Sequence, residues 1–203
     1  MYQLEEIEKN AEYCLNCKMK PCSNKGCPLN NNIPEFISFV KNKDYKNAYK
    51  TLCQTTVLPG VCGLICPHQK QCQSACVRGS KGDPVQIGIL ESFVFEKAQE
   101  EGYCLKDFVD IKALENPKQV AIIGGGPAGL TASAFLKIAG LDVTIFEKYD
   151  YLGGLLSHGI PDFRLPKKTI NATIQNMTVD GTLEIQEGND SFGLIGIAKS
   201  GNI

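Results

Sequence analysis

The chain has 203 residues, 43% of them hydrophobic, and a formal net charge of −1 at pH 7. This length suits one or two domains with an apolar core, and the nearly neutral charge argues against a nucleic-acid-binding protein. No apolar run approaches the roughly 20 residues of a membrane span, and the acidic opening segment is unlike a transit peptide, so we expect a cytoplasmic protein with no membrane contact.

The chain opens with an amphipathic pattern over residues 2–13, which predicts a short helix leading into a first block of cysteines. That block consists of Cys14, Cys17, Cys22 and Cys27. Two prolines and a glycine interrupt it, so we expect an irregular loop without regular structure. Loops of this kind can wrap a metal centre.

Helical periodicity follows the first block. One helix is predicted to begin near Pro34, and Asp44 is expected to cap another that ends near Thr55. A second block then supplies Cys62, Cys66, Cys72 and Cys76. After it, residues 85–100 predict a helix that carries Glu91 in its second turn, and residues 101–117 are interpreted as a linker.

Residues 118–148 contain the complete pattern of a nucleotide-binding β-α-β unit. A short β-branched strand at 120–123 enters the G-x-G-x-x-G sequence formed by Gly124, Gly126 and Gly129. An alanine-rich helix over 130–139 and a strand over 141–146 follow, and the strand ends in Glu147. The helix N-terminus is expected to face a pyrophosphate, and a carboxylate at Glu147 suits an unphosphorylated ribose. The pattern therefore predicts FAD or NAD, not NADP.

The ten cysteines are clustered, and nothing marks the chain for secretion, so metal binding is favoured over disulfides. Thiolates in this number can hold zinc or iron-sulfur clusters, and spacing alone does not decide between them. Two Cys-Pro pairs, at Cys27 and Cys66, are typical of the end of ferredoxin-type ligand runs. A neighbouring flavin site also favours iron-sulfur clusters, because they carry single electrons whereas zinc is redox-inert.

Four segments resemble a known family: CLNCKMKPCSNKGCPLNNNIPEF, PGVCGLICPHQKQCQSACVRGSKGDPVQIGILESF, VAIIGGGPAGL and EKYDYLGGLLSHGIPDFRLPK. They are similar to the small subunit of bacterial NADPH-dependent glutamate synthase, to the amino-terminal part of dihydropyrimidine dehydrogenase, and to the ferredoxin-NADP transhydrogenase subunit of anaerobes. The resemblance covers roughly residues 10–170. It implies an α-helical iron-sulfur domain over 1–116, followed by a partial α/β Rossmann-like FAD-binding domain over 117–203.

The same resemblance implies two [4Fe-4S] clusters whose ligands are interleaved between the blocks. One ligand set would be Cys14, Cys17, Cys22 and Cys76. The other would be Cys27, Cys66, Cys72 and Glu91. The alternative for Glu91 is a position on a solvated helix face. The remaining thiols are expected to be small buried apolar residues, namely Cys53, Cys62 and Cys104.

For FAD, the resemblance implies contacts with the pyrophosphate from the glycine-rich turn, with the ribose from Glu147, and with the ring system from the segment after it. These residues are Gly124, Gly126, Pro127, Ala128, Gly129, Glu147, Gly153, Gly154, Leu155 and Arg164. The alternative for Arg164 is an ordinary surface charge. Neither His68 nor His158 matches a catalytic role, and no catalytic residue is assigned.

The resemblance implies an oxidoreductase subunit that passes electrons between NAD(P)H, FAD and two clusters to a partner, similar to the large subunit of glutamate synthase. Relatives continue into a second dinucleotide fold that binds NAD(P)H, whereas no second glycine fingerprint follows the first here. We therefore expect little activity without a separate chain that supplies the NADPH domain. The alternatives are a non-catalytic electron-transfer or interaction module and a gene fragment. The choice between NADH and NADPH, the final acceptor and the fold of residues 169–203 stay open.

Overall fold

A computed structural model describes residues 3–110, 112–177, 184–187 and 196–199. The chain divides into two compact units, Met1–Tyr103 and Cys104–Ile203. Each unit has its own helices or strands. Among the described residues, no helix combines the length and the apolar character needed to cross a lipid bilayer.

The first unit is helical. Its α-helices are α1 (Leu4–Glu12), α2 (Ile33–Lys41), α3 (Tyr45–Cys53), α4 (Pro59–Ile65) and α5 (Ile87–Glu101). Shorter turns of other helix types join them: a π-helix at Cys22–Gly26 and 3₁₀ turns at His68–Lys70 and Val77–Ser80. The predicted helices after Pro34 and Asp44 correspond to α2 and α3. The Asp44 cap is confirmed, because its Oδ1 accepts the N–H of Asn47 at 3.1 Å.

Helix α5 is the centre of the first unit and packs against α1, α2, α3 and α4. Most of its circumference is buried, because Leu90 and Val94 are fully enclosed and Phe93 and Phe95 are buried on other faces. Its bounds lie within two residues of the prediction. The core that surrounds it is formed by large side chains of α2 and α3, chiefly Phe36, Ile37, Tyr49 and Leu52.

The second unit contains a 3₁₀ turn at Leu105–Asp107 and a small α/β arrangement. Its elements are β1 (Gln119–Ile123), α6 (Pro127–Ile138), β2 (Asp142–Glu147), α7 (Leu155–His158), α8 (Lys167–Met177), β3 (Glu184–Glu187) and β4 (Gly196–Lys199). The strand order is β1-β2-β4-β3. Strands β1 and β2 are parallel, with Val120 opposite Val143, whereas β4 is antiparallel to both of its neighbours. Helix α6 packs on β1 and β2, as a β-α-β unit requires.

This architecture confirms the predicted fold class, a helical unit followed by a partial Rossmann-like sheet. Helix α8 was not predicted. In the closing segment, over residues 191–203, the structure describes only β4, and the rest of that segment lies outside the described residues.

Candidate functional site

The first cysteine block contains a wide helical turn. The N–H of Cys27 donates to the carbonyl of Cys22 at 2.9 Å, which is the five-residue spacing of a π-helix. The prediction that this block lacks regular structure was therefore wrong at Cys22–Gly26. Pro21 precedes the turn and its missing N–H costs nothing there, which is why the proline did not prevent it.

The first predicted ligand set lies around one cavity. Cys14, Cys17, Cys22 and Cys76 all line one partly open pocket, and the rest of its wall is mainly apolar. Cys76 comes from the second block, so the interleaving implied by the resemblance brings these four thiols together in space. Burial raises the pKa of Cys22 to about 11, and the nearby thiols of Cys14 and Cys76 add to the effect.

The second predicted set also comes together. Burial raises the pKa of Cys72 to about 12, and the adjacent Glu91 and Cys27 add to the increase. Cys66 lies within electrostatic reach of Glu91, Cys72 and Cys27. The two sets are close neighbours, because Cys22 of the first set also acts on Cys72. Bare thiols with such raised pKa values stay protonated, and a bound metal centre would remove their protons.

Glu91 is buried inside the first unit. Its side chain projects from α5, the residue is 8% exposed, and burial raises the pKa of its carboxyl well above the usual range. Among the described residues, no Lys, Arg or His forms an ion pair with it. The alternative that Glu91 lies on a solvated helix face was therefore wrong. A buried carboxylate without a cation is costly, so this position fits a metal ligand.

A close contact between α4 and α5 brings Cys66 towards Glu91. A Cβ added at Gly63 of α4 would lie 2.5 Å from Ser92 Oγ and 2.6 Å from Ser92 N, so only glycine allows this approach. Ser92 Oγ is itself buried and has no hydrogen-bond partner among the described residues. Helix α4 was not predicted, and the i, i+4 spacing of Cys62 and Cys66 was the available signal.

The three unassigned cysteines differ in their surroundings. Cys53 is buried in the core as expected, and burial raises its pKa to about 12. Cys104 is only half-buried, so that expectation was wrong for it. It was also wrong for Cys62, which is half-buried and hydrogen-bonded to the Cys66 thiol; this bond raises the pKa of Cys62 and lowers that of Cys66.

In the described part of the chain, no three His, Cys, Asp or Glu side chains converge as ligands of one metal ion.

In the second unit, the glycine-rich turn joins β1 to α6. A Cβ at Gly129 would lie 1.9 Å from the carbonyl oxygen of Gly124, so the helix approaches the strand end too closely for any other residue. Gly126 is the N-cap of α6, and Pro127 and Ala128 form its first turn. The turn thus has the geometry that brings a pyrophosphate to a helix N-terminus.

Glu147 lies at the end of β2, where it is buried and accepts three backbone hydrogen bonds. Its Oε2 accepts from Gly125 N at 2.7 Å, and its Oε1 accepts from the N–H groups of Lys148 and Tyr149 at 2.8 and 3.2 Å. The carboxylate therefore holds the glycine-rich turn against the strand, a role that sequence reasoning missed. About one of its four lone-pair sites is left for a ribose hydroxyl.

The remaining predicted FAD contacts lie on the segment after β2. Gly153 N donates to Gly125 O at 2.8 Å, which places Gly153 and Gly154 against the glycine-rich turn. Leu155 begins α7 and is largely exposed. Arg164 is exposed in a turn closed by its N–H to Pro161 O, a position that leaves both of its predicted roles open. His158 packs against the rings of Tyr149 and Tyr151.

Comparison with known families assigns the helical unit. Residues 1–103 match the family described as dihydropyrimidine dehydrogenase domain II, 4Fe-4S cluster. The chain belongs to this family. Residues 122–172 match a second family, described as an NAD(P)-binding Rossmann-like domain. This member of the 4Fe-4S family thus joins an iron-sulfur domain to a Rossmann-like domain, and the predicted resemblance is confirmed.

Curated relatives agree with this assignment. The chain is 40% identical over 166 residues to the NAD-dependent dihydropyrimidine dehydrogenase subunit PreT of Escherichia coli (strain K12), covering 82% of this chain and 39% of that protein. It is 36% identical over 183 residues to the glutamate synthase [NADPH] small chain of Mycobacterium tuberculosis (strain CDC 1551 / Oshkosh), covering 88% and 35%. The chain thus spans well under half the length of these relatives, which are oxidoreductase subunits by name.

Proposed function

We propose that this chain is the iron-sulfur and flavin-binding part of an electron-transferring oxidoreductase. Its first unit would hold two [4Fe-4S] clusters and its second unit FAD. Electrons from NAD(P)H, bound on a separate domain or chain, would leave to a partner oxidoreductase subunit. When bound, a flavin accepts the two electrons of a hydride, and four-iron clusters carry them singly.

The observation that carries this proposal is the sorting of eight predicted ligands into two neighbouring groups of four. The first group takes Cys76 from the second block, and the consecutive cysteines Cys22 and Cys27 belong to different groups, so sequence proximity alone does not explain the grouping. Glu91 adds the chemical argument. Three thiols and a buried carboxyl with no cation partner among the described residues form a donor set that a metal cluster would neutralise.

The second unit supports the flavin part of the proposal through Glu147 and the glycine-rich turn. The turn and the segment from Gly153 lie against each other, as needed for one extended dinucleotide to contact both. The carboxylate suits an unphosphorylated ribose, which favours FAD over NADP at this position. A zinc protein is the second candidate, since zinc also takes four ligands drawn from cysteine thiolates and carboxylates.

Anaerobic purification followed by iron, sulfide and flavin analysis tests the proposal. We expect about eight iron and eight sulfide per chain, because two four-iron clusters fill eight ligand positions, together with about one FAD. Two zinc ions and no iron would support the second candidate and contradict the first. Iron near four would show that only one ligand group holds a cluster.

The proposal also concerns activity. The sequence contains one glycine fingerprint, which we assign to FAD, and hydride transfer requires a nicotinamide held about 3–3.5 Å from its acceptor. We expect this 203-residue chain alone to oxidise NADPH and NADH very slowly, and a chain that supplies a nucleotide domain to restore reduction of an artificial acceptor. Rapid, saturable NADPH oxidation by the chain alone would contradict this assignment.

A further inference from the structure

Apolar side chains are exposed around the first ligand group. Leu15 and Val77 line the same pocket as the four thiols of that group, yet they are 49% and 45% exposed. Met19, in the short loop between Cys17 and Cys22, is 80% exposed. Single exposed apolar residues are ordinary, but several around one pocket, with charged neighbours, are typical of an interaction site.

The two segments that carry the predicted ligand cysteines have charges of one sign only. Residues 13–34 and 53–82 contain no Asp or Glu. Their charged residues are all basic, namely Lys18, Lys20, Lys25, Lys70, Arg78 and Lys81. Acidic residues of the first unit lie on its helices instead, for example Glu5, Glu6, Glu8 and Glu12 on α1. Because the whole chain has a net charge of −1, this separation of charge does not follow from a basic composition.

Lys18 and Arg78 carry this positive charge next to the exposed apolar residues. Lys18 is exposed and precedes Met19, and Arg78 lines the pocket. Arg78 is held in place, because its Nε donates to Tyr13 O at 2.8 Å and its guanidinium carbon lies 4.2 Å from the centre of the Tyr13 ring. Among the described residues, neither Lys18 nor Arg78 forms an ion pair. Both cations thus keep N–H donors for a carboxylate of another molecule.

We propose that Leu15, Lys18, Met19, Val77 and Arg78 form a docking surface for an acidic redox protein that takes electrons from the first ligand group. This inference rests on the proposed function, because it assumes that this group holds a cluster. In each encounter one electron passes from the reduced cluster to the partner, which is reduced as the cluster is oxidised, and no bond forms or breaks.

Charge complementarity determines the kind of partner. Basic side chains attract a protein whose contact face carries Asp and Glu and accelerate its association, and the apolar side chains stabilise the complex once it has formed. A small surface of this composition suits the brief complexes of electron-transfer proteins, which bury less than about 1,200 Å². The competing account is that the basic side chains only offset the negative charge of the clusters. It predicts altered iron content or cluster potential on substitution, but no preference between partners.

Stopped-flow mixing with two haem proteins of opposite charge separates the two accounts. The chain is purified anaerobically, reduced with dithionite, freed of excess reductant and mixed with cytochrome b5, an acidic probe, or with cytochrome c, a basic one. We expect the rate constant for cytochrome b5 to fall about 10-fold or more as the ionic strength rises from about 10 to about 200 mM, and that for cytochrome c not to fall. A net charge of −1 would not produce this difference without a local basic surface.

Two variants of the docking surface have matched controls. Lys18→Glu should slow the reduction of cytochrome b5 by about 10-fold at low ionic strength and accelerate that of cytochrome c. Lys50→Glu makes the same charge change at an exposed position of α3, which supplies none of the proposed ligands, and should change either rate by less than about 2-fold. Met19→Gln removes an apolar contact and should slow cytochrome b5 by about 3-fold at every ionic strength. Leu4→Gln is its control on α1, where Leu4 is 47% exposed. Iron content and cluster potentials should be unchanged in all four variants.

Each failure has its own signature. The same salt dependence for both probes, or equal effects of Lys18→Glu and Lys50→Glu, would overturn the docking surface and leave the clusters intact. A shifted cluster potential in Lys18→Glu, with no change in the preference between probes, would support the competing account. If Lys18→Glu loses iron, the salt dependence of the unaltered protein and the effect of Met19→Gln decide.

Two further results would overturn the proposal in other ways. A stable dimer of the unaltered protein in analytical ultracentrifugation, dissociated by Met19→Gln, would mean that a second copy of the chain covers this surface. An unaltered protein without iron would overturn the proposed function itself, and iron analysis before mixing detects this case.

Discussion

The two units differ in how far apart along the chain the residues of their sites lie. In the second unit, the glycine-rich turn and Glu147 belong to one β-α-β unit, and their contacts join residues of adjacent elements. In the first unit, each ligand group combines residues from distant parts of the chain, and Cys22 and Cys27 point to different groups although one π-turn connects them. A local motif can therefore be located from sequence with its geometry, whereas an interleaved site depends on the complete fold.

The units should also depend differently on their cofactors. The second unit has paired strands and a helix that packs on them, so we expect it to fold without FAD. In the first unit, the segments that carry the predicted ligand cysteines are mainly loops and short turns, and four of these thiols line one pocket. Structural metal sites supply folding free energy to such segments.

The largest effect is expected from removing a ligand of the first group. Cys17→Ser should lower the iron content from about eight to about four and unfold the loops around the first ligand group, because a cluster that replaces a local apolar core there is lost. Iron analysis and thermal unfolding by circular dichroism measure both effects. Cys104→Ser is the matched control. A Cys17→Ser protein with full iron and unchanged unfolding would contradict the expectation that the first unit depends more on its cofactors than the second unit does.

Glu91 should affect one cluster only. We expect Glu91→Ala to change the EPR signal and potential of the second cluster and to weaken its retention by about 10-fold or more, with FAD content unchanged. Glu91→Gln keeps the side-chain volume and one oxygen ligand, so its effect should be smaller. Glu96→Ala removes an exposed glutamate of the same helix and serves as the control. Identical spectra for Glu91→Ala and Glu96→Ala would exclude Glu91 as a ligand.

In the second unit, substitutions at two glycines of the same turn should distinguish an effect on folding from an effect on cofactor binding. Gly129→Ala places a Cβ 1.9 Å from a carbonyl oxygen and should cost about 1–3 kcal/mol of unfolding free energy or more. At Gly126, an added Cβ meets only Gly154 Cα at 4.0 Å, so Gly126→Ala should change stability by less than about 0.5 kcal/mol. Its effect should fall on FAD affinity, because the methyl group lies where the pyrophosphate approaches.

Urea unfolding of the FAD-free proteins and flavin titration of the folded ones distinguish these effects. If Gly126→Ala destabilises the unit as much as Gly129→Ala, the turn is restricted by packing at both positions. If Gly126→Ala binds FAD normally, the pyrophosphate does not lie at this turn, and the proposed flavin site is wrong.

The features that could be predicted from sequence are the local ones, whereas those that depend on distant segments were missed. Helix α5, the Asp44 cap and the β-α-β unit were predicted because each depends on periodicity or capping over a few residues. The π-turn was missed because the prolines and the glycine of the first block were interpreted as breaking regular structure, and α4 was not predicted at all. Pro59 instead occupies the first turn of α4, and Gly63 allows its contact with α5.

The candidate site shows a second limit. Sequence spacing indicated the thiols but not the environment of Glu91, because burial is decided by α4 and by residues far from it along the chain. The contacts of the Thr56 hydroxyl with Leu58 N and with Cys62 Sγ could not be predicted either, since they depend on the geometry of a loop. The three hydrogen bonds to Glu147 were missed for a simpler reason: the motif was interpreted only through its ligand.

The smallest effect concerns a feature of the first unit that is local and independent of metal. Asp44 Oδ1 accepts Asn47 N at 3.1 Å and Oδ2 accepts Asn47 Nδ2 at 2.7 Å, both at the exposed start of α3. Asp44→Ala should cost about 1 kcal/mol of unfolding free energy, whereas Asp44→Asn keeps a capping oxygen and should cost less. Iron content and cluster potentials should stay unchanged in both, because α3 supplies none of the proposed ligands. Loss of iron in Asp44→Ala would mean that the helical core and the cluster loops fold as one cooperative unit, so that even a local cap contributes to cluster binding.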